Sequence, residues 1–213
     1  MTKTNQQKVK DFLINNGVII VMFILVIYTG FTSDNFFTKN NFMNILMNMS
    51  SRLVIALGIA GCVITAGCDL SAGRMIGFGA CISGMLLQRM DYSGKFFPDM
   101  QPLNVFVVAL IAMLVCAAFG TVTGFFIAYL NVPPFIATLA MMEIVYGIGL
   151  IVTNATPLGG YVEQYTNVSN GKFLGINYLI WIAIIVAAIT WFIFNMTRHG
   201  KYMYAIGGNP QAA

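Results

Sequence analysis

Between Asp99 and Glu143 not one side chain carries a charge. A hydrocarbon core about 30 Å thick is crossed by roughly 20 helical residues at ~1.5 Å each, so this run holds enough chain for two crossings. A break between them stands at Asn131-Val132-Pro133-Pro134, where paired prolines remove two N–H donors and stop a helix. The rest of the chain agrees. Of 213 residues, 58% are apolar and 8% charged, against about 25% charged in soluble proteins. So few charges do not cover a globule in water, which excludes a soluble enzyme and a disordered tail. The net charge of +4 gathers near the two ends and reads as membrane topology. No nucleic-acid partner is implied, and the lipid bilayer is the expected surrounding.

The same ruler predicts an all-α, polytopic transmembrane bundle of about six spans, over residues 13–31, 43–66, 73–90, 103–130, 135–153 and 176–195. Residues 1–11 read as a cytoplasmic tail, 12–196 as the transmembrane domain and 197–213 as a polar tail. The apolar run after Lys3, Lys8 and Lys10 exceeds the roughly 7–15 residues of a cleaved signal peptide, so it reads as a retained first span with a cytoplasmic N-terminus. An even number of crossings returns Arg198, His199 and Lys201 to the same side. Lys39, Arg52, Arg89, Lys95 and Lys172 fall on the outer side, so the charge bias rests on the N-terminal lysines.

Cys62, Cys68, Cys81 and Cys116 lie in apolar runs without C-x-x-C spacing or a nearby histidine, so neither a metal site nor a disulfide framework is expected. Lys95, Lys172 and Lys201 each follow a glycine, but none precedes Ser or Thr; a P-loop is absent. There is no H-E-x-x-H, and the hydroxyls within spans lack a base to activate them. The chain reads as a non-enzyme without a cofactor, its energy coming from an ion gradient or another subunit. Two carboxylates stand out, because an ionisable group within a membrane needs a partner, a proton or water. Asp69, in Gly67-Cys68-Asp69-Leu70-Ser71-Ala72-Gly73, either caps a turn together with Ser71 or marks a broken helix lining a substrate path. Glu143 either titrates or makes an internal helix contact, with Asn131, Thr138 and Tyr146 supplying uncharged hydrogen-bonding groups nearby. Gly73, Gly77, Cys81 and Gly84, and again Gly120 and Gly124, form small-residue faces on which helices can approach closely.

The stretch from Ala56 through Gly67-Cys68-Asp69-Leu70-Ser71-Ala72-Gly73 to Arg74 resembles the G-x-D-L-S-x-G signature of permease subunits in the ribose and galactoside ABC importers. Asn131-Val-Pro-Pro-Phe-Ile-Ala-Thr-Leu139 resembles that family's proline break before a span. Tyr204-Ala-Ile-Gly-Gly-Asn-Pro-Gln-Ala-Ala213 resembles the start of its cytoplasmic loop that docks on the ATPase. The likeness covers essentially the whole chain and is strongest to the galactose/methyl galactoside branch. It implies a pore for a monosaccharide, galactose or methyl galactoside, working with an ABC ATPase subunit, an extracytoplasmic sugar-binding protein and a second permease copy. It places Asp69, Ser71, Asn131, Phe135 and Thr138 on the substrate pathway, and Gly207, Gly208, Asn209, Pro210, Ala212 and Ala213 on the ATPase contact. Family permeases are longer, so the chain is expected to be C-terminally truncated within the docking loop, able to insert but not to couple. The rivals are an ion-coupled carrier or channel using Glu143 or Asp69, and a scaffold that only assembles a complex.

Overall fold

The computed structural model describes residues 5–209. The chain divides into two units, Met1–Asn48 and Met49–Ala213. The first holds helix α1 (Asn5–Thr32) and the opening turns of α2 (Lys39–Ile64). No residue of the apolar part of α1, Leu13–Thr32, is buried. The polar stretch predicted to end the first span does so. Ser33 N–H still donates to Thr29 O (3.0 Å), then Phe36 N–H turns back to Ser33 O (3.1 Å). Thr38 restarts the helix as an N-cap, its hydroxyl accepting from Asn41 N–H (3.3 Å).

The second unit contains the remainder of α2, then α3 (Ala72–Leu86), α4 (Val105–Leu130), α5 (Pro134–Thr153) and α6 (Glu163–Asn170). The strands β1 (Lys172–Phe173) and β2 (Ile176–Asn177) follow, then α7 (Tyr178–Met196) and α8 (Arg198–Gly208). Its core lies where α3, α4 and α5 pack together. Phe78 and Ile82 of α3 meet Met141 and Val145 of α5, with Ile111, Val115 and Phe119 of α4 closing the cluster. Phe78 and Phe119 meet edge to face, centroids 5.6 Å apart, the arrangement that aromatic quadrupoles favour.

Each predicted span has its helix, and five helices (α1, α2, α4, α5 and α7) are long and apolar enough to cross a membrane. The third span is the exception. It was predicted to reach residue 90, yet α3 has 15 residues, about 22 Å of helix, well short of a hydrocarbon core. Its end is taken up by a clasp between two loops. Val162 N–H donates to Leu87 O (2.9 Å) and Arg89 N–H to Gly160 O (2.7 Å), with Gln88 bridged antiparallel to Tyr161. Gln88, only 1% exposed, donates from Nε2 to Gly159 O (3.0 Å) and accepts at Oε1 from Phe96 N–H (2.7 Å). Gly160 holds φ +69 with the Tyr92 ring packed against its Cα, where any side chain would collide. Because α3 ends, α4 begins and α5 ends at this clasp, α4 runs antiparallel to both neighbours.

Two further segments carry structure that the span ruler does not assign. Residues 154–175, the long connection outside the spans, include α6 and the start of a hairpin pairing Lys172 with Asn177 and Phe173 with Ile176. Leu174 and Gly175 turn it with positive φ of 53 and 78, the signature of a two-residue hairpin loop. Asn177 then caps α7, accepting from Leu179 N–H (2.8 Å). Residues 198–208 of the polar tail form α8, capped by the Thr197 hydroxyl accepting from Gly200 N–H (3.3 Å). The small-residue faces also depart from their close-packing reading. Gly84 does meet Leu158 and Tyr161, but Gly73, Gly77, Gly120 and Gly124 face open space.

Candidate functional site

The space beside Gly120 and Gly124 is a cleft at the end of α3–α5 opposite the clasp. It measures about 280 Å³ and is lined by Thr65, Asp69, Ser71, Gly120, Thr123, Gly124, Pro134 and Thr138, with Cys62, Gly67, Cys68 and Ile127. Its floor is the interruption between α2 and α3. Ala66 takes a left-handed φ of 58, letting Gly67 N–H reach Cys62 O (2.8 Å) and Ala66 N–H reach Val63 O (3.1 Å). This Schellman pairing ends α2 with its carbonyls satisfied. Asp69 then opens α3. Its Oδ1 accepts from Ser71 N–H (2.8 Å) and from the Ser71 hydroxyl (2.6 Å). Ser71 makes no side-chain cap of its own; its hydroxyl is spent on the carboxylate, so of the two expected caps Asp69 is the one that acts.

The other hydroxyls in the lining are committed in one direction. Thr138 donates to Pro134 O (2.8 Å), Thr123 to Phe119 O (3.0 Å) and Thr65 to Cys62 O (3.0 Å) and Gly61 O (3.1 Å). Each proton satisfies the helix's own backbone, leaving the oxygen free to accept. The cleft therefore presents acceptors: three threonine oxygens, the Ser71 oxygen and the Asp69 carboxylate. A neutral molecule rich in O–H donors complements that lining, and an anion does not.

Of the residues that the sequence places on a pathway, Asp69, Ser71 and Thr138 come together here. Asn131 and Phe135 do not line the cleft. Asn131 ends α4 in a left-handed conformation, φ 53, and Phe135 is exposed beside it on the first turn of α5. Thr65 and Thr123 escape notice in the sequence, since a threonine within an apolar helix carries no signal until its neighbours are known, while Gly120 and Gly124 read there as a packing face rather than a cleft wall.

On the other side of α3, Arg74 lies over the Tyr146 ring, 4.0 Å from its centroid, in a groove of about 200 Å³ that Gly73, Gly77 and Gly149 help to line. Glu143 lines neither the cleft nor this groove. Gly207, near the end of α8, sits against Ile64 O and Thr65 Cα with no room for a side chain, and Met203 reaches Gly61. The last turns of α8 thus bear on the last turn of α2, where the cleft begins. Gly208 and Asn209 are exposed; Pro210, Ala212 and Ala213 lie outside the described residues.

Residues 41–213 match the family described as "Branched-chain amino acid transport system / permease component". The chain belongs to this permease family. Over its whole length it is 39% identical to the galactose/methyl galactoside import permease protein MglC of Escherichia coli and 40% identical to that of Haemophilus influenzae. It spans 66% of the length of each. Over 95% of the chain it is 31% identical to the ribose import permease protein RbsC of Escherichia coli, spanning 61% of that protein. No solved structure matches. Membership in a permease family, with five helices of membrane-crossing length, makes this a multi-pass membrane protein.

Proposed function

We propose that this chain forms the membrane permease subunit of an ABC importer for a monosaccharide, galactose or a methyl galactoside. The observation that carries this reading is the acceptor-lined cleft: a pyranose is neutral, of comparable size, and offers O–H donors around its ring. The full-length similarity to galactoside import permeases supports the same substrate class. Asp69, Ser71 and Thr138 would meet the sugar in the cleft, while Asn131 and Phe135 would shape its rim at the α4–α5 corner. ATP hydrolysis belongs to a partner ATPase, and residues 197–213 face it, with Gly207, Gly208, Asn209, Pro210, Ala212 and Ala213 as the contact. An extracytoplasmic sugar-binding protein delivers the substrate, and a second permease copy completes the pore. Both ends of the chain are then cytoplasmic, and the clasp lies on the outer side.

An ion-coupled carrier would need a titrating carboxylate on the path. Glu143 is not in the cleft lining, and Asp69 is occupied by two hydrogen bonds from Ser71. The test is uptake of labelled methyl galactoside by cells that lack their own permease and carry a permease of its relatives' full length that includes this sequence, with its ATPase and binding protein. Saturable uptake that requires ATP and survives collapse of the proton gradient is the expected result. Uptake abolished by an ionophore at constant ATP would favour the carrier.

A further inference from the structure

Glu143 and Arg52 sit at the middle of membrane-length helices. Glu143 lies nine residues from the start of α5, Pro134–Thr153, and Arg52 twelve from the end of α2, Lys39–Ile64. Both are exposed, and neither makes a hydrogen bond or ion pair among the described residues. For Glu143 the reason is geometric. Met141 and Val145 turn into the core, and a residue two positions from each points about 200° around the helix, away from α3. Arg74, on the adjoining groove, is engaged by Tyr146.

Such groups are costly at the centre of a bilayer unless paired. Arginine near a helix end escapes by extending to the interface, but Arg52 is about 18 Å of helix from the end of α2. The charges are opposite, and their depths agree. The end of α2 and the start of α5 both reach the cleft, through Thr65 and Pro134; measured from there, Arg52 is about 18 Å deep and Glu143 about 14 Å. A two-fold axis along the membrane normal preserves depth, so residues of matching level on two copies are able to meet across it, and each such contact occurs twice.

We propose that Glu143 of one copy pairs with Arg52 of a second copy of this chain, in two reciprocal ion pairs across a two-fold interface within the membrane. This rests on the reading above that a permease copy is a partner, and names the residues by which the copies recognise each other.

Two differently tagged copies are co-expressed in a background with Cys62, Cys68, Cys81 and Cys116 replaced, one carrying Glu143→Cys and the other Arg52→Cys. Mild oxidation of membranes is expected to give a cross-linked species bearing both tags, and none when both copies carry the same substitution. In the native-cysteine background, Glu143→Arg or Arg52→Glu on both copies is expected to lower co-purification of the tags at least tenfold. The double charge swap is expected to restore it to within about twofold. Absence of the cross-link, or a double swap no better than the single reversals, overturns the pairing. If galactoside uptake persists in that case, the transport reading stands while the proposed interface falls. Loss of uptake with the cross-link intact strikes the transport reading alone.

Discussion

Asp69 shows how much one carboxylate can do as a hydrogen-bond acceptor. Both its hydrogen bonds come from Ser71, and it stands where α3 begins, so its charge complements the N-terminal dipole as well as filling an orphan acceptor role. Asp69→Asn keeps an oxygen in place and is expected to leave thermal unfolding in detergent nearly unchanged, whereas Asp69→Ala should lose about 1 kcal/mol. If Asn also abolishes galactoside uptake at normal protein levels, the charge has a role in transport beyond the cap. The cap was legible in the sequence because it is local, a matter of two residues. Gln88 was not, because its partner carbonyl at Gly159 lies 71 positions away and nothing in the run Leu86-Leu87-Gln88 marks it. Tyr161, in the same clasp, is pushed above the ordinary tyrosine range by burial, with Tyr165 adding to the shift. An unfolded tyrosine ionises near pH ~10, so Tyr161 contributes stability that is intact below that pH and lost as the pH rises through its higher folded value. Unfolding followed between pH about 9 and about 11 should steepen in the native protein relative to Tyr161→Phe.

At the scale of elements, the sequence announces helices through their apolar length and conceals how their ends are held. All six apolar segments are helical, five of them within about four residues of their expected bounds, while α1 starts at Asn5 inside the stretch read as a tail; hydrocarbon leaves an isolated segment no other way to satisfy its backbone hydrogen bonds. The short α3 is where the ruler fails, since the long-range clasp stops the helix while its composition is still apolar. Gln88→Ala leaves Gly159 O and Phe96 N–H without their partners and should cost about 1–3 kcal/mol, read as faster proteolysis of the 91–102 loop in intact vesicles. Likewise α8 was hidden, because an eleven-residue helix with a polar face carries no membrane signal. Gly207→Val cannot be accommodated against Ile64 O without moving α8 or the end of α2. It is expected to leave the protein in the membrane and to raise accessibility of Cys68 to a thiol reagent, whereas Gly208→Val, facing open space, should change neither.

In the whole second unit, two loops that the span count had placed on one side of the membrane are hydrogen-bonded to each other, while the α2–α3 interruption and the α4–α5 corner gather at the far end. Topology follows: reporters inserted in the 91–102 loop and fused after Gly208 are expected to report opposite sides of the membrane. The same arrangement has a mechanical sense. Helices α3, α4 and α5 are pinned by the clasp at one end, packed together through their middle, and part around the cleft at the other end, so a spreading motion would meet least resistance at the cleft edge. A pivot of about 10° at the clasp would carry the tip of a 15-residue helix about 4 Å, and α8 bears on that edge through Gly207, packed against Ile64 O.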